Sequence, residues 1–288
     1  MRQYSIAGHL VQISGKSLDS LPGFDFFVSE KTDNEPLLLI EPDDTLRDWA
    51  VSPVFTSEYD GVSYDLSYKN HTYRFRMKQS EDHCLLAEIR REGAGFRAAI
   101  LGTSFFNDLS LQYACWILFG IAALSRQTVS IHASAVMVQG KSVLFLGESG
   151  TGKSTQTGLW LNHIPETELL NDDSPFIRVE SDGNIRIYGS PWSGKTAYYK
   201  NRHTPVAAFI RLSQAPYNRI RRLNGIEAIA ALLPSCPFAF AYDKPLSDLI
   251  YSIVSLTLRQ VPVYHLECLP DSDAVRLSYS TLKQNGHL

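Results

Sequence analysis

Cysteine is scarce and scattered in this chain. Its four copies, Cys84, Cys115, Cys236 and Cys268, form no Cys-x-x-Cys pair. That removes the usual sequence grounds for a zinc site or a disulfide framework, and reduced, buried thiols are the expectation. An excess of charge is also lacking. A net charge of −3 gives no global pull toward nucleic acid or an anionic membrane. A long hydrophobic run is missing too. The most apolar segment, Leu109 to Leu124, contains Ser110 and Gln112. It falls short of the roughly 18 apolar residues expected of a membrane span, so it reads as a buried helix. The first residues, MRQYSIAGHLVQISG, show neither the apolar stretch nor the small-residue cleavage site of a signal peptide. A cytoplasmic protein without membrane or nucleic-acid partners is expected.

What is present is ordinary globular composition, 44% hydrophobic and 20% charged over 288 residues. The N-terminal region is β-rich. Val62, Tyr64, Leu66 and Tyr68 alternate with polar residues, as do Tyr73, Phe75 and Met77 after a turn at Lys69-Asn70, which predicts a hairpin. Cys84 to Arg90 and Phe96 to Leu101 predict two further strands around Gly93-Ala94-Gly95. Asn107 or Asp108 is placed to cap the apolar helix. From there strands alternate with helical patterns to the C-terminus. The expected organisation is a β-rich domain over 1–106 and an α/β domain over 107–288 that includes the leading helix.

Gly147-Glu148-Ser149-Gly150-Thr151-Gly152-Lys153-Ser154 fits the phosphate-loop (Walker A) pattern GxxxxGK[ST], with Thr155 following. Glycines let the backbone curl so that successive N–H groups point at phosphate oxygens. The helix expected from Lys153 adds its positive end. Lys153 is expected to reach the β and γ phosphates of ATP, and the Ser154 hydroxyl to ligate Mg²⁺. Val143 to Leu146 supplies the strand before the loop.

The strand Ser130 to Val138 runs into the next one with only Gln139-Gly140 between them. A two-residue turn would pair Val138 with Lys141 and Val136 with Val143, and would carry His132 to the level of Gly147. Downstream, Leu169-Leu170-Asn171-Asp172-Asp173-Ser174 reads as a strand ending in acids. A nucleotide site needs a carboxylate for Mg²⁺, and a kinase gains from one that accepts a hydroxyl proton.

A histidine strand, a tight hairpin, GESGTGKST, a helix and a strand ending in Asp-Asp together resemble the C-terminal domain of HPr kinase/phosphorylase. They also resemble the phosphate-binding core of ATP-dependent phosphoenolpyruvate carboxykinase. The likeness is best over Val129 to Val179 and implies a P-loop domain with a mixed sheet. Carried over, it implies His132, Asp172, Asp173 and Lys153 as the catalytic group. Asp172 would be the base and Asp173 the metal contact, with the reverse division also open. The region before it does not match the N-terminal domain of the HPr kinases, and Tyr188 to Thr196 replaces that family's glycine-rich segment. The arginine motifs with which the carboxykinase holds oxaloacetate are not found.

In that replacement segment Trp192 and Lys195 are candidates for walling a substrate pocket, since loops carry sites disproportionately. Arg219, Arg221 and Arg222 read as a solvated face, with an arginine finger as the alternative. The expected function is a kinase that uses ATP and Mg²⁺ to phosphorylate a hydroxyl, serine in a peptide, a protein or a free amino acid. A homo-oligomer is possible. The alternatives are a non-catalytic ATP-binding sensor and a carboxykinase-like enzyme.

Overall fold

The computed structural model describes all residues of 1–288 except 16, 19, 60, 80–82, 103–105, 195 and 196. Two compact units are distinguished, Met1–Arg126 with Ala239–Ser247, and Gln127–Phe238 with Asp248–Leu288.

In the first unit the period-two stretches become β1 (Arg2–Ile6), β2 (His9–Ile13), β3 (Leu38–Pro42), β4 (Phe55–Tyr59), β5 (Val62–Lys69), β6 (Thr72–Lys78), β7 (Cys84–Glu92) and β8 (Gly95–Leu101). They form one sheet in the order β1-β2-β3-β8-β7-β6-β5-β4. The β5–β6 hairpin pairs Lys69 with Thr72. Its turn is therefore Asn70-His71, one residue beyond the expected position, and both residues take positive φ, 50° and 62°, as a primed turn requires.

The apolar segment is helix α1 (Asp108–Leu124), and the Asn107 side chain caps it by accepting from Ser110 N at 2.9 Å. Apolar residues surround the helix, so it must be covered nearly all round. Its partners lie in the first unit, where it packs on β7 and β8. Phe240 also closes on it, since a Cβ at Gly120 would stand 3.0 Å from that ring. The second compact unit accordingly begins at Gln127, where the sequence reading draws its boundary at 107.

The second unit holds β9 (Thr128–Ser130), β10 (Ala133–Val138), β11 (Lys141–Leu146), β12 (Glu168–Asp173), β13 (Phe176–Val179), β14 (Ile185–Tyr188), β15 (His203–Gln214), β16 (Arg219–Leu223) and β17 (Val263–Cys268). The strands run β12-β10-β11-β15-β14-β13-β9, with β17 pairing β15 and β16. The sheet is mixed, because β15 runs parallel to both β11 and β17 while the other pairs are antiparallel. Helices α2 (Lys153–His163), α3 (Ile226–Leu232), α4 (Lys244–Leu258, in this unit from Asp248) and α5 (Ser272–Gln284) complete it.

Helices α2 and α5 close over one face of this sheet. Trp160 of α2 is fully buried there, edge-on to Phe145 at 5.6 Å, and its Nε1 donates to Ser278 Oγ of α5 at 3.2 Å. Among the described residues no helix is long and apolar enough to cross a membrane.

Candidate functional site

The β10–β11 hairpin has the register its two-residue turn dictates. Val138 pairs with Lys141, Val136 with Val143 and Ala133 with Leu146. Gln139 and Gly140 carry φ of 51° and 76°, the positive pair of a primed turn. His132 thus leaves β10 just where Gly147 leaves β11. On its other side β10 pairs with β12, bringing Ala133 opposite Asp173 and Ser134 opposite Asp172. One strand end carries the imidazole, and it lies between the glycine loop and the acids.

Close packing shapes the loop. A Cβ on Gly147 would collide with Thr151 Oγ1, which itself donates to Glu148 O at 2.8 Å. Gly152 caps α2 at φ 103° and offers no side chain to the free N–H groups of the first turn. No acidic side chain lies in that turn either. The first-turn N–H groups of α2 therefore have no capping side chain from Gly152, which favours holding a phosphate there.

Lys153 Nζ lies 2.8 Å from Gly147 O, 3.2 Å from Glu148 O and 2.9 Å from His132 Nε2. An ammonium only donates, so Nε2 accepts and the imidazole carries its proton on Nδ1. That Nδ1 faces Asp173 Oδ1 at 3.3 Å. Ser174 Oγ donates to the other oxygen, Asp173 Oδ2, at 2.8 Å. Burial works to raise the Asp173 carboxyl. The hydrogen bonds from His132 and Ser174, with the field of Lys153, outweigh it and hold the group below its ordinary 3.8. Burial lowers the Lys153 ammonium below 10.5, and Asp173, Glu148 and Asp172 only partly restore it.

Asp172 points the other way, as alternate residues of a strand must. Ser134, its partner across the strands, shares a hydrogen bond of 2.6 Å with Thr157 of α2. Asp172 therefore faces α2, and Ser154 Oγ donates to its Oδ1 at 3.1 Å. Asp173, the expected neighbour of Ser154, sits instead with His132. Asp172, named first as the base, is the acid that stands beside Ser154.

Three supports were not foreseen. Asn171 is fully buried. Its Nδ2 donates to Trp192 O at 3.0 Å and to Ser190 Oγ at 3.3 Å, while its Oδ1 accepts from Asp173 N at 3.1 Å and Ser174 N at 2.9 Å. The amide thereby locks the acid-bearing strand to the Ser190–Trp192 segment. Arg211 of β15 pairs with Glu148 of the loop at 2.7 Å, and Gln214 Nε2 donates to Gly150 O at 3.1 Å. A polar residue directly before the paired acids was the only sequence signal for Asn171, and the two contacts from β15 had none.

Trp192, expected as a pocket wall, is only 7% exposed, with its ring 5.7 Å from Phe176. It is a structural part of the clamp. Lys195 lies outside the described residues. Gly194 N donates to Asp172 O at 3.1 Å and Ser193 bridges to Asp173, so this segment does reach the acids. Arg219 and Arg221, on the solvated strand β16, pair with Glu267 of β17 and Glu227 of α3.

No protein-family model matches the chain, and no curated protein matches it. Among solved structures it is similar to the HPr(Ser) kinase/phosphatase from Coxiella burnetii, with 15% sequence identity over 54% of this chain and 88% of that one, at a TM-score of 0.31.

Proposed function

We propose that the second unit is an ATP- and Mg²⁺-dependent phosphotransferase acting on a hydroxyl. The observation that carries this reading is the convergence at the loop of two sets of contacts, Lys153 with His132 and Asp173, and Ser154 with Asp172. A loop that only held nucleotide would need neither the imidazole nor a second carboxylate.

The donor chemistry fits magnesium. A hydroxyl and a carboxylate oxygen 3.1 Å apart, at the uncapped start of a helix, are hard oxygen ligands of the kind Mg²⁺ takes alongside phosphate and water. Ser154 and Asp172 would hold the ion, which would offset charge on the phosphate oxygens. Lys153 and the N-terminus of α2 would hold the β and γ phosphates and stabilise the charge that develops as the γ-phosphoryl group moves. Asp173, kept ionised by its neighbours, would accept the proton of the attacking hydroxyl as the new O–P bond forms and ADP departs. Its depressed pKa makes it a weak base, which suits a loose transition state where proton transfer is late. His132 positions that carboxylate and links it to Lys153.

Isotope transfer from γ-labelled ATP to serine-containing peptides and free serine tests this. Asp173→Asn should keep nucleotide affinity within about threefold and lower transfer by roughly 10²–10⁴-fold. Asp172→Asn should instead raise the Mg²⁺ concentration needed. Binding of ATP with no transfer to any acceptor, unaltered by Asp173→Asn, would favour a nucleotide sensor.

A further inference from the structure

A second concavity opens on the flank of the loop away from the acids. This cleft, of about 580 Å³, is lined by Gly150 and Thr155 on the loop side and by Ala215, Pro216, Leu269 and Pro270 opposite. The volume lies within the range of roughly 300–1,000 Å³ typical of ligand sites. Sheet order fixes its place. Strands β10 and β12, with His132 and the aspartates, lie to one side of β11, while β15 and β17 lie to the other. The far wall of the cleft consists of the segments that follow β15 and β17. A phosphate chain laid along the loop with its terminal group at Asp172 and Asp173 therefore has its other end directed at this cleft.

The far wall is held in place from both sides. Ala215 N donates to Cys268 O at 3.2 Å, Leu269 N to Asn218 Oδ1 at 2.8 Å, and Gln156 Nε2 to Leu269 O at 3.2 Å. These bonds engage the Ala215 and Leu269 N–H groups and the Leu269 carbonyl as well as fixing the wall. The Gln214 Nε2 is tied to Gly150 O and the Gln156 Nε2 to Leu269 O. The Gln156 oxygen is itself buried, so it is not presented to an occupant. What faces the cleft from the far side is apolar, namely Pro216, Pro270 and Leu269, the last 39% exposed.

We infer that the cleft receives the nucleoside half of a purine nucleotide, gripped by apolar contact on the faces of the base with little reading of its edge. ATP and GTP would then serve alike. Flat π-faces are common to both purines, whereas discrimination needs a positioned donor or acceptor. This rests on the triphosphate site proposed above.

Calorimetric titration of the full chain with Mg·ATP, Mg·GTP and Mg·tripolyphosphate separates the two readings. The wild type should bind ATP and GTP within about threefold of each other, and each about tenfold or more tighter than tripolyphosphate, a margin of about 1.4 kcal/mol. Ala215→Trp, which fills the cleft, should bring ATP down to the level of tripolyphosphate and leave tripolyphosphate itself unchanged. Leu269→Ala keeps both backbone bonds of the wall and should weaken ATP alone, by about threefold. ATP binding no tighter than tripolyphosphate in the wild type, or unaffected by both variants, would overturn the cleft assignment. A preference above about thirtyfold for one purine would overturn the account of base tolerance. Failure of the wild type to bind any of the three would refute the loop reading and this inference together.

Discussion

Replacing Asn171 with leucine keeps its approximate volume and removes its polar groups. The amide has N–H donors on one side and carbonyl and hydroxyl acceptors on the other, so its orientation is set by its partners. Leucine would leave the Ser174 N–H, on a residue only 8% exposed, without its 2.9 Å acceptor, and would strip Asp173 N and Trp192 O of partners at 3.1 and 3.0 Å. A buried group left unsatisfied costs about 1–3 kcal/mol, and Asp173 is partly wet, so the total is about 2–4 kcal/mol. Hydrogen exchange of the peptides spanning 171–174 across a urea series would read this loss without interference from the first unit. Asn171→Asp gives a sharper control. It keeps an acceptor for the two N–H groups but turns a carboxylate oxygen toward the carbonyls of Ser190 and Trp192. Its folded pKa should rise, so its stability should match the wild type most closely below pH of about 4 and fall as pH climbs through the raised value. A leucine variant within about 0.5 kcal/mol of wild type would refute the clamp, because surface substitutions commonly stay within that margin.

Truncating Trp160 to alanine empties a fully buried site and removes its bond to Ser278; a loss of about 3–5 kcal/mol, read by denaturant titration, is expected. The Cys115 and Cys236 thiols, both pushed up to about 12 by burial, should resist a thiol reagent at pH 8 and react only as fast as the fold opens, which labelling followed by mass spectrometry would show. On the proposed reading nucleotide affinity would depend on the Lys153 ammonium, whose pKa burial holds below 10.5 in the free protein. Binding titrations should therefore show affinity beginning to decline at a pH below the ordinary lysine value.

The hairpin and its register were legible in the sequence because a two-residue turn leaves strands no freedom of pairing. The same logic brought His132 to the loop. The roles of Asp172 and Asp173 were not legible. Neighbours on a strand point to opposite faces, and nothing in the sequence says which face α2 will cover. Helix α1 could be recognised as buried from its all-round apolarity, but not assigned to a unit, because periodicity does not say which strands it packs on and its partner Phe240 is distant along the chain. Arg211 and Gln214 reach the loop only because β15 pairs in parallel with β11, a non-local choice. Trp192 offered a large aromatic in a loop, and in the fold it serves packing.

The placement of β10 has a dimensional consequence. Neighbouring strands lie about 4.8 Å apart, so an interposed strand sets the carboxylate-bearing edge roughly 10 Å from the strand that feeds the glycine turn. On the proposed reading that spacing would admit a phosphoryl group and the oxygen that receives it, where a loop strand lying directly beside β12 would halve it.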